Sequence, residues 1–174
     1  MACFYFDSAA QKEQSAMSVL GTLLKQLVSS FEQIPEEITD AFRRHKKFIG
    51  GRELQLSEIV KMLGSISSTQ RTFLCLDALD ECAGPDRAKV LFSLKDIIKV
   101  SPTTRVFLTG RPYVGDEVGK HFPEGTTFVS ISPRTGDIIR YTHTKFAEGT
   151  SSGEMDLKLE EEIVKTIPET FSEM

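Results

Sequence analysis

The run Phe73-Leu74-Cys75-Leu76-Asp77-Ala78-Leu79-Asp80-Glu81-Cys82 constrains this chain more than any other stretch. Its first four residues are all apolar. A strand buried on both faces of a parallel sheet reads as such a continuous run, whereas a half-buried strand alternates. The carboxylates Asp77, Asp80 and Glu81 follow at the carboxyl end of the expected strand. That is the edge at which open α/β sheets bind ligands, and where nucleotide hydrolases hold magnesium and orient the attacking water. The stretch implies nucleotide chemistry, whose other half is a phosphate loop.

The rest of the chain supplies the setting. Residues 3–6 read as a short strand. A helix is expected from about Gln14, with Met17, Leu20, Leu24, Leu27, Val28 and Phe31 on one stripe at 3.6-residue spacing. Pro35 opens a shorter helix through Ile38 and Phe42 into the basic patch Arg43, Arg44, Lys46 and Lys47, and Gly50-Gly51 breaks the chain. Ser57 is the expected N-cap of a helix bearing Ile59, Val60, Leu63 and Ile66. A turn at Gly84-Pro85 leads to a helix with Val90, Leu91, Leu94, Ile97 and Ile98, ended by Ser101-Pro102. Residues 105–109 form a second buried strand, followed by Gly110-Arg111-Pro112. A short helix over 114–122 precedes a third strand over 126–131. Helices over 135–146 and 157–167 follow, joined by a Gly/Ser linker at 149–153. Strands alternating with helices imply a mostly parallel α/β sheet. The expected division is an α/β core over 1–133 and the start of a helical extension over 134–174.

Composition narrows the partners. A net charge of −4 gives no electrostatic reason to expect nucleic acid or an anionic membrane. No apolar run approaches the roughly 20 residues that span a bilayer. The opening MACFYFDSAA lacks the basic flank and apolar core of a secretory signal. Three cysteines, an odd number, fit free thiols and a cytoplasmic location, with Cys75 read as a small core hydrophobe. His45, His121 and His143 show no metal-ligand spacing, and the basic patch reads as a solvated helix face.

Asp77 is the natural magnesium residue, because a carboxylate one step beyond a rigid strand holds a metal-bound water without loop flexibility. Ala78 keeps the space beside it small. Glu81 is placed to act as general base on a water in line with a terminal phosphate, with Asp80 in support. Arg111 also follows a buried strand, so its guanidinium is expected at the same edge, contacting the terminal phosphate; Thr109 adds a hydroxyl. The phosphate loop G-x-x-x-x-G-K-S/T is absent. The nearest imitation, Gly115-Asp116-Glu117-Val118-Gly119-Lys120-His121, is one residue short between its glycines. It also has His121 where a hydroxyl is required and two carboxylates that would repel phosphate.

At these residues the chain resembles the NACHT nucleoside triphosphatases, within the signal-transduction (STAND) class of P-loop NTPases. It is most similar to the nephrocystin-like NACHT domains of filamentous fungi, often joined to ankyrin or WD repeats. FLCLDALDEC resembles the Walker B strand and VFLTGRP the sensor strand. CFYFD, the leucine-rich helix after it and ISPRTGDIIRYTHTKF lend support. The resemblance implies Mg2+ with ATP or GTP as cofactor, held through Asp77, Thr109 and Arg111. It implies hydrolysis by Glu81 and Asp80 with Arg111, and self-association or binding of other signalling proteins in a larger machine. It also implies a phosphate loop just before the strand at Cys3, so this chain reads as a fragment lacking Walker A. The strand before that loop lies inside the family's sheet, so its loss is expected to leave a gap between neighbouring strands. Gly110 stands where many relatives carry serine.

The leading expectation is a fragment of a NACHT-type nucleotide-binding regulatory switch, inactive alone for lack of the phosphate loop. The alternative is a non-catalytic protein-interaction remnant of such a domain. A magnesium hydrolase using Asp77, Asp80 and Glu81 without a phosphate loop ranks behind both.

Overall fold

Three parallel strands, β1 (Ala2–Tyr5), β2 (Phe73–Asp77) and β3 (Arg105–Leu108), form the sheet in the order β1-β2-β3. The structure is a computed structural model describing residues 1–36, 38–40, 43, 54–132, 134–148 and 157–172. Cys3 stands opposite Cys75 and Cys75 opposite Phe107; Phe4, Leu76 and Leu108 form the next row. The three strands are contiguous, so the gap expected between neighbouring strands is not found among them.

Alternation along these strands separates two unlike faces. Ala2, Leu74 and Leu76 are fully buried, with Phe4, Val106 and Leu108 packed beside them. The other face carries Cys3, Tyr5, Phe73, Cys75 and Phe107, with Tyr5 71% and Phe107 56% exposed. The expectation that the Phe73 strand is buried on both faces is therefore corrected, as is the reading of Cys75 as a core residue. The helices α1 (Ala16–Val28), α2 (Leu56–Thr69) and α3 (Gly84–Val100) pack with one another on the apolar face, and a strand covered on one side alone needs only alternate residues buried.

Each helix has a readable start. Ser15 caps α1 by accepting from the Ser18 N–H at 3.2 Å, and Asp86 accepts from the Ala16 N–H at 3.2 Å, placing a carboxylate at the positive end of the helix. The buried stripe of α1 is Val19, Leu20, Leu23, Leu24 and Leu27; Met17, expected on it, is 38% exposed. The N-cap of α2 is Gln55, not Ser57: Glu58 reaches back to accept from the Gln55 N–H at 2.8 Å, which leaves Ser57 inside the first turn. Gly84 and Pro85, expected as a turn, begin α3, where proline's missing donor costs nothing. At its far end the buried Ser101 hydroxyl donates to the Ser67 carbonyl at 2.7 Å.

The outer edge of β1 is closed by one side chain. The Gln26 carboxamide accepts from the Cys3 N–H at 2.9 Å and donates to the Cys3 carbonyl at 2.7 Å, imitating the peptide of a neighbouring strand. On the other side β3 has no strand neighbour among the described residues. The third strand expected over 126–131 does not form: Phe128 is 61%, Val129 76% and Ile131 90% exposed, with no ladder partner. An apolar β-rich run becomes a strand only where another strand accepts its hydrogen bonds.

The chain divides into two compact units, Met1–Phe128 and Val129–Met174. The first also contains α4 (Gly115–His121); the second consists of α5 (Thr135–Glu148) and α6 (Leu157–Ser172), which pack together. The helix expected after Pro35 is seen where it is described: the Ile38 and Thr39 N–H groups donate to the Pro35 carbonyl at 3.0 and 3.1 Å, and Ile38 is buried. Phe42 lies outside the described residues, as do Arg44, His45, Lys46, Lys47, Gly50, Gly51 and the linker at 149–153. Among the described residues no helix is long and apolar enough to cross a membrane.

Candidate functional site

The carboxyl ends of β2 and β3 adjoin and are stitched together by main-chain and side-chain hydrogen bonds. Past Asp77 the chain turns through Ala78, a left-handed residue with φ 55°, into the short 3-10 turn Leu79–Glu81. An L-residue in that conformation costs about 1–2 kcal/mol. The surroundings hold it there: Leu79 is fully buried, and its N–H donates to the Thr109 carbonyl at 2.8 Å. The Thr109 N–H in turn donates to the Leu76 carbonyl at 3.0 Å.

Thr109 links the two strand ends through its side chain as well. Its hydroxyl accepts from the Ala78 N–H at 3.0 Å and donates to Asp77 Oδ1. Asp77 is exposed. Asp80 is more enclosed than Asp77, its side chain 9% exposed. Its Oδ1 accepts from the Arg111 N–H at 3.3 Å, and its Oδ2 lies 3.4 Å from Arg111 Nε. The Tyr113 hydroxyl donates to the Asp80 carbonyl at 3.3 Å. Gly110 sits tightly between them: a Cβ there would stand 3.0 Å from Val114 Cγ2 and 3.4 Å from Asp80 Oδ1. A serine at this position would press on the Val114 side chain and lie in ordinary contact with Asp80.

Glu81 turns the other way. Its Oε2 accepts from the Ser8 N–H at 2.8 Å, and its carbonyl accepts from Gln11 Nε2 at 2.9 Å. The 3-10 helix Ser8–Glu13 that carries these donors follows β1, where Asp7 caps it by accepting from the Ala9 N–H. The structure thus brings Asp77 to Thr109 and Asp80 to Arg111 on the β3 side, and turns Glu81 toward the segment after β1. Ser8, Gln11 and Tyr113 had no signal in the sequence. Ser8 and Gln11 lie about seventy positions from the residue they hold, and their types are common in any loop.

No group of three or more His, Cys, Asp or Glu side chains among the described residues is gathered around a metal position. Asp77, Asp80 and Glu81 do not form such a group. Asp77 alone, steadied by Thr109, does fit magnesium, an ion that keeps most of its waters and takes one or two carboxylates plus phosphate oxygens. Gly115–His121 is helix α4, not a loop, and a Cβ added at Gly115 or Gly119 would stand 3.9 Å from the Phe128 ring. An open depression of about 480 Å³ beside it is lined by Gly115, Asp116, Gly119, Lys120 and Phe128, none of them strand-end acids.

Residues 1–111 match the family model described as nephrocystin 3, N-terminal. No match is found among curated proteins or among solved structures. The matched span holds all three strands, the acidic turn, Thr109 and Arg111. The chain belongs to the nephrocystin 3 N-terminal family.

Proposed function

We propose that this chain is the magnesium and sensor side of a NACHT-type, nucleotide-binding regulatory switch. The observation that supports the reading is the coupling of two polar sites across adjacent strand ends: Asp77 with Thr109, and Asp80 with Arg111. In this reading Asp77 holds Mg2+ bound to ATP or GTP. Arg111 exchanges its exposed pairing with Asp80 for the terminal phosphate, and Thr109 keeps the Asp77 carboxylate turned toward the ion. Asp80 and Glu81 serve hydrolysis, Glu81 positioned by Ser8. The phosphate grip that a glycine-rich loop and a helix N-terminus provide is not written in these 174 residues, so the isolated chain binds nucleotide weakly.

Chemical-shift mapping with 15N-labelled chain and Mg-ATP or Mg-GTP tests this. The expected result is weak binding with shifts confined to Asp77, Thr109, Arg111 and the turn between β2 and α3, abolished by Asp77→Asn. Unchanged spectra at high nucleotide concentration, or shifts scattered away from the strand ends, would refute it.

A second reading has its own observation. The sheet face bearing Tyr5 and Phe107 is open, and a parallel sheet normally covers both faces. This favours a non-catalytic interaction module that keeps the sheet and contributes protein contacts. An in-frame G-x-x-x-x-G-K-S/T encoded upstream of residue 1 favours the switch; stop codons there in every strain favour the module.

A further inference from the structure

Cys3 and Cys75 are direct partners in the parallel ladder between β1 and β2, with their side chains on the same, uncovered face of the sheet. Both are free and both are half-buried, so neither is sealed in the core. Neighbouring strands run about 4.8 Å apart, and cysteines whose Cα atoms lie about 4.4–6.8 Å apart can be bridged. The third cysteine is excluded from this chemistry. Cys82 is 1% exposed, and its thiol is directed at the Ala83 carbonyl, 3.7 Å away.

We propose that Cys3 and Cys75 form a reversible dithiol–disulfide couple, oxidised by a hydroperoxide and returned to the dithiol by a small thiol reductant. In the first step a thiolate sulfur attacks the terminal peroxide oxygen. An S–O bond forms, the O–O bond breaks, and the departing alkoxide or hydroxide takes up a proton. The sulfur is oxidised to a sulfenic acid as the peroxide is reduced. In the second step the other cysteine's sulfur attacks it. The S–S bond forms, the S–O bond breaks, and hydroxide leaves with the thiol proton as water. Burial, with the neighbouring Cys3, pushes the Cys75 thiol up from its ordinary 9.0. Either sulfur can make the first attack, and its partner then resolves the sulfenic acid.

The couple has a structural consequence. β1 leads directly into the segment whose Ser8 N–H holds Glu81, and the Phe6 N–H donates to the Asp77 carbonyl at 3.0 Å. A covalent tie between Cys3 and Cys75 pins that strand to the one bearing the acidic turn.

The test treats the full chain with equimolar hydrogen peroxide and maps its peptides without reduction. The expected product is a monomer lighter by two hydrogens, with Cys3 and Cys75 peptides linked, Cys82 free to alkylate, and the dithiol recovered by dithiothreitol. In Cys75→Ser, dimedone is expected to label Cys3. A link through Cys82, a disulfide-bonded dimer as the main product, or sulfinic acid at Cys3 with no internal link would each overturn the proposal. The unaltered chain alone decides this, whatever the variant does to folding.

Discussion

Asp80 holds Arg111 at two points, accepting from its main-chain N–H at 3.3 Å and facing its guanidinium Nε at 3.4 Å. The pair is unequal. Asp80's side chain is 9% exposed, whereas that of Arg111 is 76% exposed. A mobile, solvated guanidinium contributes little to folding, and the enclosed carboxylate that organises the loop contributes more. Arg111→Ala is expected to cost at most about 1 kcal/mol in urea unfolding, and Asp80→Ala about 1–2 kcal/mol. Equal losses would mean that the side-chain ion pair, not the main-chain contact, carries the stabilisation.

Gln26 replaces a missing strand at the edge of β1. Gln26→Ala leaves the Cys3 N–H and carbonyl without their partners and is expected to destabilise by about 1–3 kcal/mol. Gln26→Glu keeps the acceptor for the N–H but sets a carboxylate against the carbonyl, so it is expected to be no better than Ala. The uncovered edge is a template for association. Size-exclusion chromatography of Gln26→Ala should show a concentration-dependent shift to larger species.

Ala78 is the one described non-glycine residue with positive φ. Ala78→Gly removes the Cβ clash and is expected to raise stability by up to about 1 kcal/mol, the relief exceeding glycine's added chain entropy. Ala78→Val should destabilise, because a β-branched side chain tolerates that conformation least. Thermal unfolding of both variants checks the sign of each change.

Cys82 gives a pH dependence. Burial first, and then the Asp86 charge, push its thiol from the ordinary 9.0 to about 11, with Arg87 opposing them. The folded chain therefore holds this proton where the unfolded chain has released it. Its contribution to stability is whole below about pH 9 and is lost as the pH rises through about 11. Cys82→Ala should flatten the fall in thermal midpoint across that window. Iodoacetamide at pH 8 should label Cys3 well ahead of Cys82.

The acidic strand was legible because strands and their polar ends are written locally: FLCL is apolar, and Asp77, Asp80 and Glu81 follow within five residues. Helices α1 and α3 were legible for the same reason, their leucine and isoleucine stripes recurring at the helical period. The sequence could not say how many faces of the sheet are covered. A continuous apolar run looks the same in both cases, and here Phe73 and Cys75 lie on the open side. The run over 126–131 failed as a strand because pairing is a property of two segments, and one of them alone encodes no partner.

Residue types and local spacing by themselves determined a parallel α/β unit with acids after one strand and Thr109 and Arg111 after the next. Tertiary structure alone decided the allegiance of each acid: Asp77 to Thr109, Asp80 to Arg111, and Glu81 to Ser8. The reason is physical. A sequence states how far apart residues lie along the chain. The direction in which Ala78's left-handed turn throws Asp80 and Glu81 is set by the burial of Leu79 and the main-chain bonds of Thr109, which exist only once the sheet has formed.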